Sequence, residues 1–171
     1  MKPLSLMLLA VTVALADIAT LCAEITPRFA NVSARARVGS GDDTFILGFV
    51  VRDGEAAVLV RAMGPALAVF GVSNSLPDPL ISVYDANGLL VAKGLPLSEL
   101  SFVEHEAVMT AWARAGAFFA GPTNTKDASA YLKLAPGVYT LHITSKSGSS
   151  GVVLGEIYSL LEPTATSVPN G

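Results

Sequence analysis

The stretch NVSARARVGSGDDTFILGFVV, Asn31 to Val51, decides the fold. Its first eight residues alternate. Val32, Ala34, Ala36 and Val38 fall on one side, and Ser33, Arg35 and Arg37 on the other, the period of two that marks a half-exposed strand. Gly39 to Asp43 is a turn. Phe45 to Val51 is then apolar throughout, and such a run is expected to be a strand buried on both faces.

The same rhythm continues outward from this pair. Asp53-Gly54-Glu55 turns the chain, Ala57 to Ala62 makes a third strand, and Gly64-Pro65 stops it. Ala66 to Phe70 can form one helical turn before Gly71. Pro77-Asp78-Pro79 imposes an extended entry, because proline disfavours helix in the residue before it. Leu80 to Tyr84 and Leu89 to Ala92 flank Asp85-Ala86-Asn87-Gly88, and Asn-Gly is a strong hairpin signal. Ser129 to Leu134, Val138 to Thr144 and Val152 to Leu160 complete the set. One segment differs. Ser98 to Ala115 has helix formers, Ser98 or Ser101 as N-cap, and Phe102, Val103, Val108, Met109 and Trp112 at helical spacing, with Gly116 as a stop. The expected fold is all-β, a two-sheet antiparallel sandwich or jelly roll of about eight strands. One inserted helix would lie over a sheet, and the long excursion around it would cross between the sheets.

Upstream of the strands, residues 1–23 read as a secretory signal peptide. Lys2 gives a positive start, Leu4 to Leu15 is almost wholly apolar, and small residues follow. The run is short of the roughly 20 apolar residues that a transmembrane helix needs. Cleavage after Ala16 satisfies the small-x-small rule. Cleavage after Ala23 gives a more ordinary length but puts Leu21 where a small residue is preferred. Cys22, the single cysteine, admits a lipid anchor as an alternative, although Leu21 before it does not suit a lipidation motif. The expected destination is therefore secretion or the periplasm. The sandwich would span residues 24–161, without a disulfide, and the Pro/Thr/Ser-rich 162–171 would be a disordered tail.

The net charge is −3, and removing Lys2 and Asp17 with the leader leaves it unchanged. With 15% charged and 51% hydrophobic residues, the chain has no basic patch to favour nucleic acid and enough apolar content to fold on its core alone.

Several ordered pieces carry a resemblance. They are Asn31 to Asp42, Ile46 to Val51, Leu59 to Leu67, Phe70-Gly71-Val72, Asp78 to Gly88, Lys126-Asp127-Ala128, Leu134 to Thr140 and Gly151 to Tyr158. Together, from about Phe29 to Leu160, they resemble a β-sandwich module recurring in secreted and cell-surface proteins of environmental bacteria. Tyr84-Asp85-x-x-Gly88 and Pro136-Gly137-x-Tyr139 are also similar to the sandwich domains appended to secreted bacterial peptidases. The resemblance implies a non-catalytic module that accompanies other domains or occurs in tandem, and here one module standing alone. Relatives carry an acidic cluster after the Asp85 hairpin. This chain has Ala92 to Leu97 there instead, which argues against a cation site built on that cluster.

The chemistry-bearing residues point the same way. His105 and His142 are the two histidines, and no Gly-x-Ser-x-Gly elbow accompanies them. His142 lies between Leu141 and Ile143 and should face outward. Glu104-His105-Glu106 cannot converge on one ion from a helix, since adjacent side chains point about 100° apart. Gly39 to Asp43 lacks the lysine of a phosphate loop. Asp42, Asp43, Asp78, Asp85 and Asn87 could hold calcium only if their loops met in space. Arg61 and Glu156 sit inside apolar strands, where a charge is costly unless paired. The expectation is that Arg61, Arg35 or Arg37 pairs with Glu156 or Asp127 and fixes the register, with a polar ligand site as the alternative. Candidate ligand-facing residues are Tyr84, Asp85, Asn87 and Trp112, and Tyr131, Tyr139 and Tyr158 are further aromatics that could serve a carbohydrate site. No cofactor and no catalytic or metal residue is expected. The expected role is structural or binding, at the cell envelope or outside the cell. The alternatives are a carbohydrate- or surface-binding adhesion module whose partner is a cell-surface glycan or protein, and, more distantly, a hydrolase.

Overall fold

A computed structural model of the chain describes residues 30–39, 43–52, 54–117 and 126–160. The leader, Cys22, Asp42 and the proposed tail lie outside these residues.

Eight strands and one α-helix make up the described chain. They are β1 (Asn31–Val38), β2 (Phe45–Val51), β3 (Ala56–Met63), β4 (Pro79–Asp85), β5 (Leu90–Pro96), α1 (Phe102–Ala115), β6 (Ala128–Leu134), β7 (Gly137–Ser145) and β8 (Gly151–Leu160). Every strand pairing is antiparallel. The order is β1-β8-β3-β6-β5-β4-β7-β2, one continuous sheet where two separate ones are expected from the sequence. The sheet rolls nearly into a barrel, and β5 is its corner. Ile81 to Tyr84 of β4 pair with Leu90 to Gly94, while the last residues of β5, Leu95 and Pro96, pair with Ser129 and Ala128 of β6. The excursion through α1 thus leaves and re-enters at the corner, joining neighbouring strands.

Both halves of the sheet turn one face inward. Val58 and Val60 of β3, Ile81 and Val83 of β4, Leu141 and Ile143 of β7 and Val153 of β8 form a single apolar core. Gly155 shows how closely the halves approach. A side chain there would meet Ile143 Cδ1 and Phe45 Cε1 at 2.8 Å and Leu47 Cδ1 at 3.1 Å, so β2 packs over β8 across the core. Tyr139 closes the β6–β7 turn. Its hydroxyl donates to the carbonyl of Ala135 at 2.9 Å, and its ring stacks on Phe49 at 5.5 Å. This is the tyrosine-corner device of Greek-key sheets.

The outer faces differ. On one half, α1 covers β3, β6 and β8 through Val108, Ala111 and Trp112, forming a second apolar cluster with Ala57, Leu59, Tyr158 and Leu160. A capping box starts this helix: Ser101 Oγ accepts from the Glu104 backbone N–H, and the Glu104 carboxylate accepts from the Ser101 backbone N–H. Gly116, at φ 56°, ends it in the left-handed conformation. Of the two N-cap candidates, Ser98 and Ser101, it is Ser101 that starts the helix, since Leu97–Glu99 forms a separate 3-10 turn. Phe102 and Val103 are 80% and 75% exposed, not packed as expected, because at about 100° per residue both point away from the stripe of Val108, Ala111 and Trp112.

The strand buried on both faces is β3 and not β2. In β2 Ile46, Gly48 and Val50 point to solvent. The two runs are equally apolar; β3 is central beneath α1, and β2 ends the sheet.

The corner predicts a sharp contrast between two glycines. A Cβ on Gly94 would meet Ile81 Cβ at 2.9 Å and the Ser129 carbonyl carbon at 3.1 Å, whereas one on Gly48 would meet nothing within 4 Å. Gly94→Ala should therefore lose about 1–3 kcal/mol of stability in denaturant unfolding, with Gly48→Ala unchanged or slightly more stable.

Candidate functional site

Two regions hold the residues singled out by the sequence: a buried polar row under α1 and an open face on the opposite half of the sheet.

The buried row follows from strand register. Ser33, Glu156, Arg61 and Ser129 are direct cross-strand neighbours on β1, β8, β3 and β6. Arg61 is 0% exposed. Its Nε lies 3.4 Å from Glu156 Oε2, its Nη2 donates to Met63 Sδ at 3.2 Å, and its guanidinium carbon lies 4.6 Å from the Trp112 ring centroid and 6.0 Å from that of Tyr158. Glu156 Oε1 accepts from Ser33 Oγ at 3.2 Å and from Tyr158 Oη at 2.9 Å. The guanidinium is thus held at its edge by a carboxylate and over its plane by an indole, the two environments that suit a desolvated arginine. Tyr158 feels its surroundings. Burial, then the charge of Glu156 and its hydrogen bond, hold the phenol above its usual pKa of 10.0.

The other predicted members go elsewhere. Asp127 is buried, and its carboxylate accepts from the backbone N–H groups of Gly64, at 2.6 Å, and Ala66, at 3.2 Å, at the start of the 3-10 turn Pro65–Phe70. Arg37 donates to Ser150 Oγ at 3.3 Å. Arg35 is exposed on β1 opposite Leu154.

Trp112 is 7% exposed and so packs on Arg61 and does not face a ligand. Tyr139 and Tyr158 are buried as well, while Tyr131 is half-buried beside α1. Asp85 and Asn87 form a local turn. Asp85 Oδ1 accepts from the N–H groups of Asn87 and Leu89 at 2.8 and 2.9 Å, and the bond from Leu89 leads in holding its carboxyl below the usual 3.8. The calcium arrangement is not formed among the described residues. Asp78 and Asp85 flank opposite ends of β4, about 20 Å apart at strand rise, and Asp78 is engaged by Ser145 Oγ at 2.6 Å.

The open face consists of the outward side chains of β2, β7, β4 and β5. One row runs Ile46, His142, Ser82, Lys93, and the next runs Gly48, Thr140, Tyr84, Leu90. His142 faces outward. Its ring lies 4.7 Å from that of Tyr84, tilted by 57°, and its Nε2 is 3.1 Å from Thr140 Oγ1. Ile46, Val50 and Val138 border this pair and are each about half exposed, at 52%, 54% and 52%. Sequence reasoning found Tyr84 but missed Ile46, Val50 and Val138. Their exposure depends on this outer face having no covering element among the described residues, which no local pattern reveals.

The buried pair predicts non-additive mutants. Glu156→Leu alone removes the carboxylate that faces a buried guanidinium and should cost about 3–5 kcal/mol, while Arg61→Met with Glu156→Leu should recover most of that loss in a double-mutant cycle. Tyr158 supplies a pH readout. Its raised folded pKa favours the fold while the phenol is protonated, fully so below pH 10.0, and this contribution is lost as pH rises through the folded value. Wild type should therefore lose stability more steeply than Tyr158→Phe in alkaline denaturation.

No protein-family model matches the chain, and no curated protein does. Among solved structures it is similar to the pre-peptidase C-terminal domain of a collagenase from Bacillus anthracis, at 13% identity and a TM-score of 0.45, over 77% of this chain and 97% of that domain. At such identity the likeness concerns fold and not individual residues.

Proposed function

We propose that this chain is a non-catalytic, exported β module that binds another surface through the open face of β2, β7, β4 and β5. The observation that carries this reading is the asymmetry of the sheet. One outer face is sealed by α1 over the Arg61–Glu156 pair, and the other leaves Tyr84, His142, Ile46, Val50 and Val138 at the surface. A sheet face that keeps apolar and aromatic groups in water is an interaction surface in the making.

A non-catalytic role is supported by how the reactive groups are occupied. Glu156 balances Arg61, Asp127 ties down the Gly64–Pro65 turn, Asp85 and Glu104 cap local structure, and the His142 ring packs on Tyr84. Export is supported by Lys2, the apolar Leu4 to Leu15 and the small residues after them. No helix among the described residues is long and apolar enough to cross a membrane.

A carbohydrate partner is the second reading, and the Tyr84–His142 ring pair favours it. Two rings side by side on an open face offer a platform on which the apolar side of a sugar can lie. The only formal charge on the two central rows is Lys93, which suits a neutral glycan or a weakly polar protein surface.

Binding of the mature chain to envelope fractions and to a glycan array should be lost or weakened about tenfold by Tyr84→Ala with His142→Ala, with the thermal midpoint little changed. Binding that survives both substitutions would move the site off this face. No binding to either target at high protein concentration would overturn the reading.

A further inference from the structure

The hairpin tip between β4 and β5 combines a reactive pair of residues with a device that restrains it. Asn87 is followed by Gly88, and both are exposed. In such a pair the backbone nitrogen of the glycine can attack the side-chain carbonyl carbon of the asparagine, because no Cβ on the glycine shields that nitrogen. A bond forms between Gly88 N and Asn87 Cγ, and the Cγ–Nδ2 bond breaks. The Gly88 proton moves to the departing nitrogen, which leaves as ammonia. Water then opens the resulting five-membered imide at one of its two carbonyl carbons. Opening at Cγ gives aspartate with the ordinary main chain, and opening at the backbone carbonyl gives isoaspartate.

The fold engages the nucleophile. Gly88 N–H donates to the carbonyl of Asp85 at 3.0 Å, and the Asp85 N–H donates to the carbonyl of Leu89 at 3.0 Å. Asp85 Oδ1 accepts from the N–H groups of Asn87 and Leu89, on either side of Gly88, at 2.8 and 2.9 Å. Ring closure swings the Gly88 nitrogen toward the Asn87 side chain and draws on the proton it is donating, so the Asp85 carbonyl must first let go. All four hydrogen bonds of the tip run through Asp85. Its carboxyl is held below the usual 3.8, chiefly by the bond from Leu89, so it is an anion throughout the neutral range and its two bonds are charge-assisted. Ala86, Asn87, Gly88 and Leu89 are all exposed. Opening the tip therefore uncovers no core and can proceed as a local event, without unfolding of the sheet.

We propose that Asn87 is a self-modification site, converting to aspartate and isoaspartate with release of ammonia, and that Asp85 sets the rate by holding the hairpin tip shut. The product differs from the starting chain in two ways. It carries a new negative charge two residues from the Asp85 carboxylate. In the isoaspartate form the main chain also runs through one extra carbon, so the tip no longer matches the spacing that Asp85 spans. The last ladder pair before the tip is Tyr84 with Leu90, on the open outer face, and the change is thus delivered beside Tyr84. The reaction stands whether or not that face binds a ligand.

The mature chain should be incubated in mildly alkaline buffer, folded and in denaturant, and followed by digestion and mass spectrometry. Digestion separates Asn87 from the second Asn-Gly pair of the sequence, Asn170-Gly171. The mass gain that marks exchange of an amide for an acid should appear at Asn87, and an isoaspartate-specific methyltransferase should label the same peptide. Reaction at Asn87 should be slower in the folded chain than in the unfolded one. Asp85→Ala removes both charge-assisted bonds and should quicken the folded chain's reaction about tenfold, while leaving the rate in denaturant nearly unchanged. Far-ultraviolet circular dichroism and thermal melting establish that the variant is folded; if it is not, the ratio of folded to unfolded rates in the wild type decides alone. An Asn87 that stays intact in the unfolded chain, or that reacts equally fast folded and unfolded, would overturn the proposal. So would a folded Asp85→Ala chain that reacts as slowly as the wild type.

Discussion

The guanidinium of Arg61 is the group around which one half of this molecule has to be arranged. Taking an arginine out of water is tolerable only where a carboxylate faces it and its plane is covered by polarisable surface. Here Glu156 faces it from the neighbouring strand and Trp112 covers it from the helix. Glu156 then has its own requirements, met by Ser33 on β1 and by Tyr158 two residues along its own strand. A slip of one residue between β3 and β8 would turn Arg61 or Glu156 into the apolar interior. Burial of one charge therefore binds together the alignment of β1, β8 and β3 and the seating of α1.

This constraint explains why the two outer faces are so different. Over β3 and β8 the helix has a fixed task, keeping water from the ion pair, and its buried residues Val108, Ala111 and Trp112 are spent on it. Over β2, β7 and β4 no such charge exists. The strands alternate in the ordinary way, apolar inward and mixed outward, and the outward set remains available for contact.

Much of this was legible in the chain, because turns are written locally. Asn87-Gly88 and Pro136-Gly137 mark their reversals with residues that few other conformations favour, and the strand positions follow. What could not be read was neighbourhood. FILGFVV and AAVLVRAM have the same apolar character, and the one containing an arginine is the one buried on both faces. Burial on the second face depends on which strand lies beneath the helix, a fact of sheet order. The same applies to the charged residues. A charge in an apolar strand signals a partner, but choosing Glu156 for Arg61, and the Gly64 and Ala66 amides for Asp127, requires the register of strands far apart in sequence. Trp112 and Phe102 share one helix but not one face, so the first is sealed over the sheet and the second lies in solvent.

The corner at β5 adds a last consequence. A sheet that closed fully would have no ends, but here the hydrogen bonding runs continuously from β1 to β2 and stops. Two ends must then be reconciled with water. At β1 this is done with arginines and small inward residues. At β2 the strand keeps large apolar groups on both faces and no charge within it, and Phe45 and Phe49 stay only partly buried. The physics that makes Arg61 expensive to bury makes β2 expensive to leave bare.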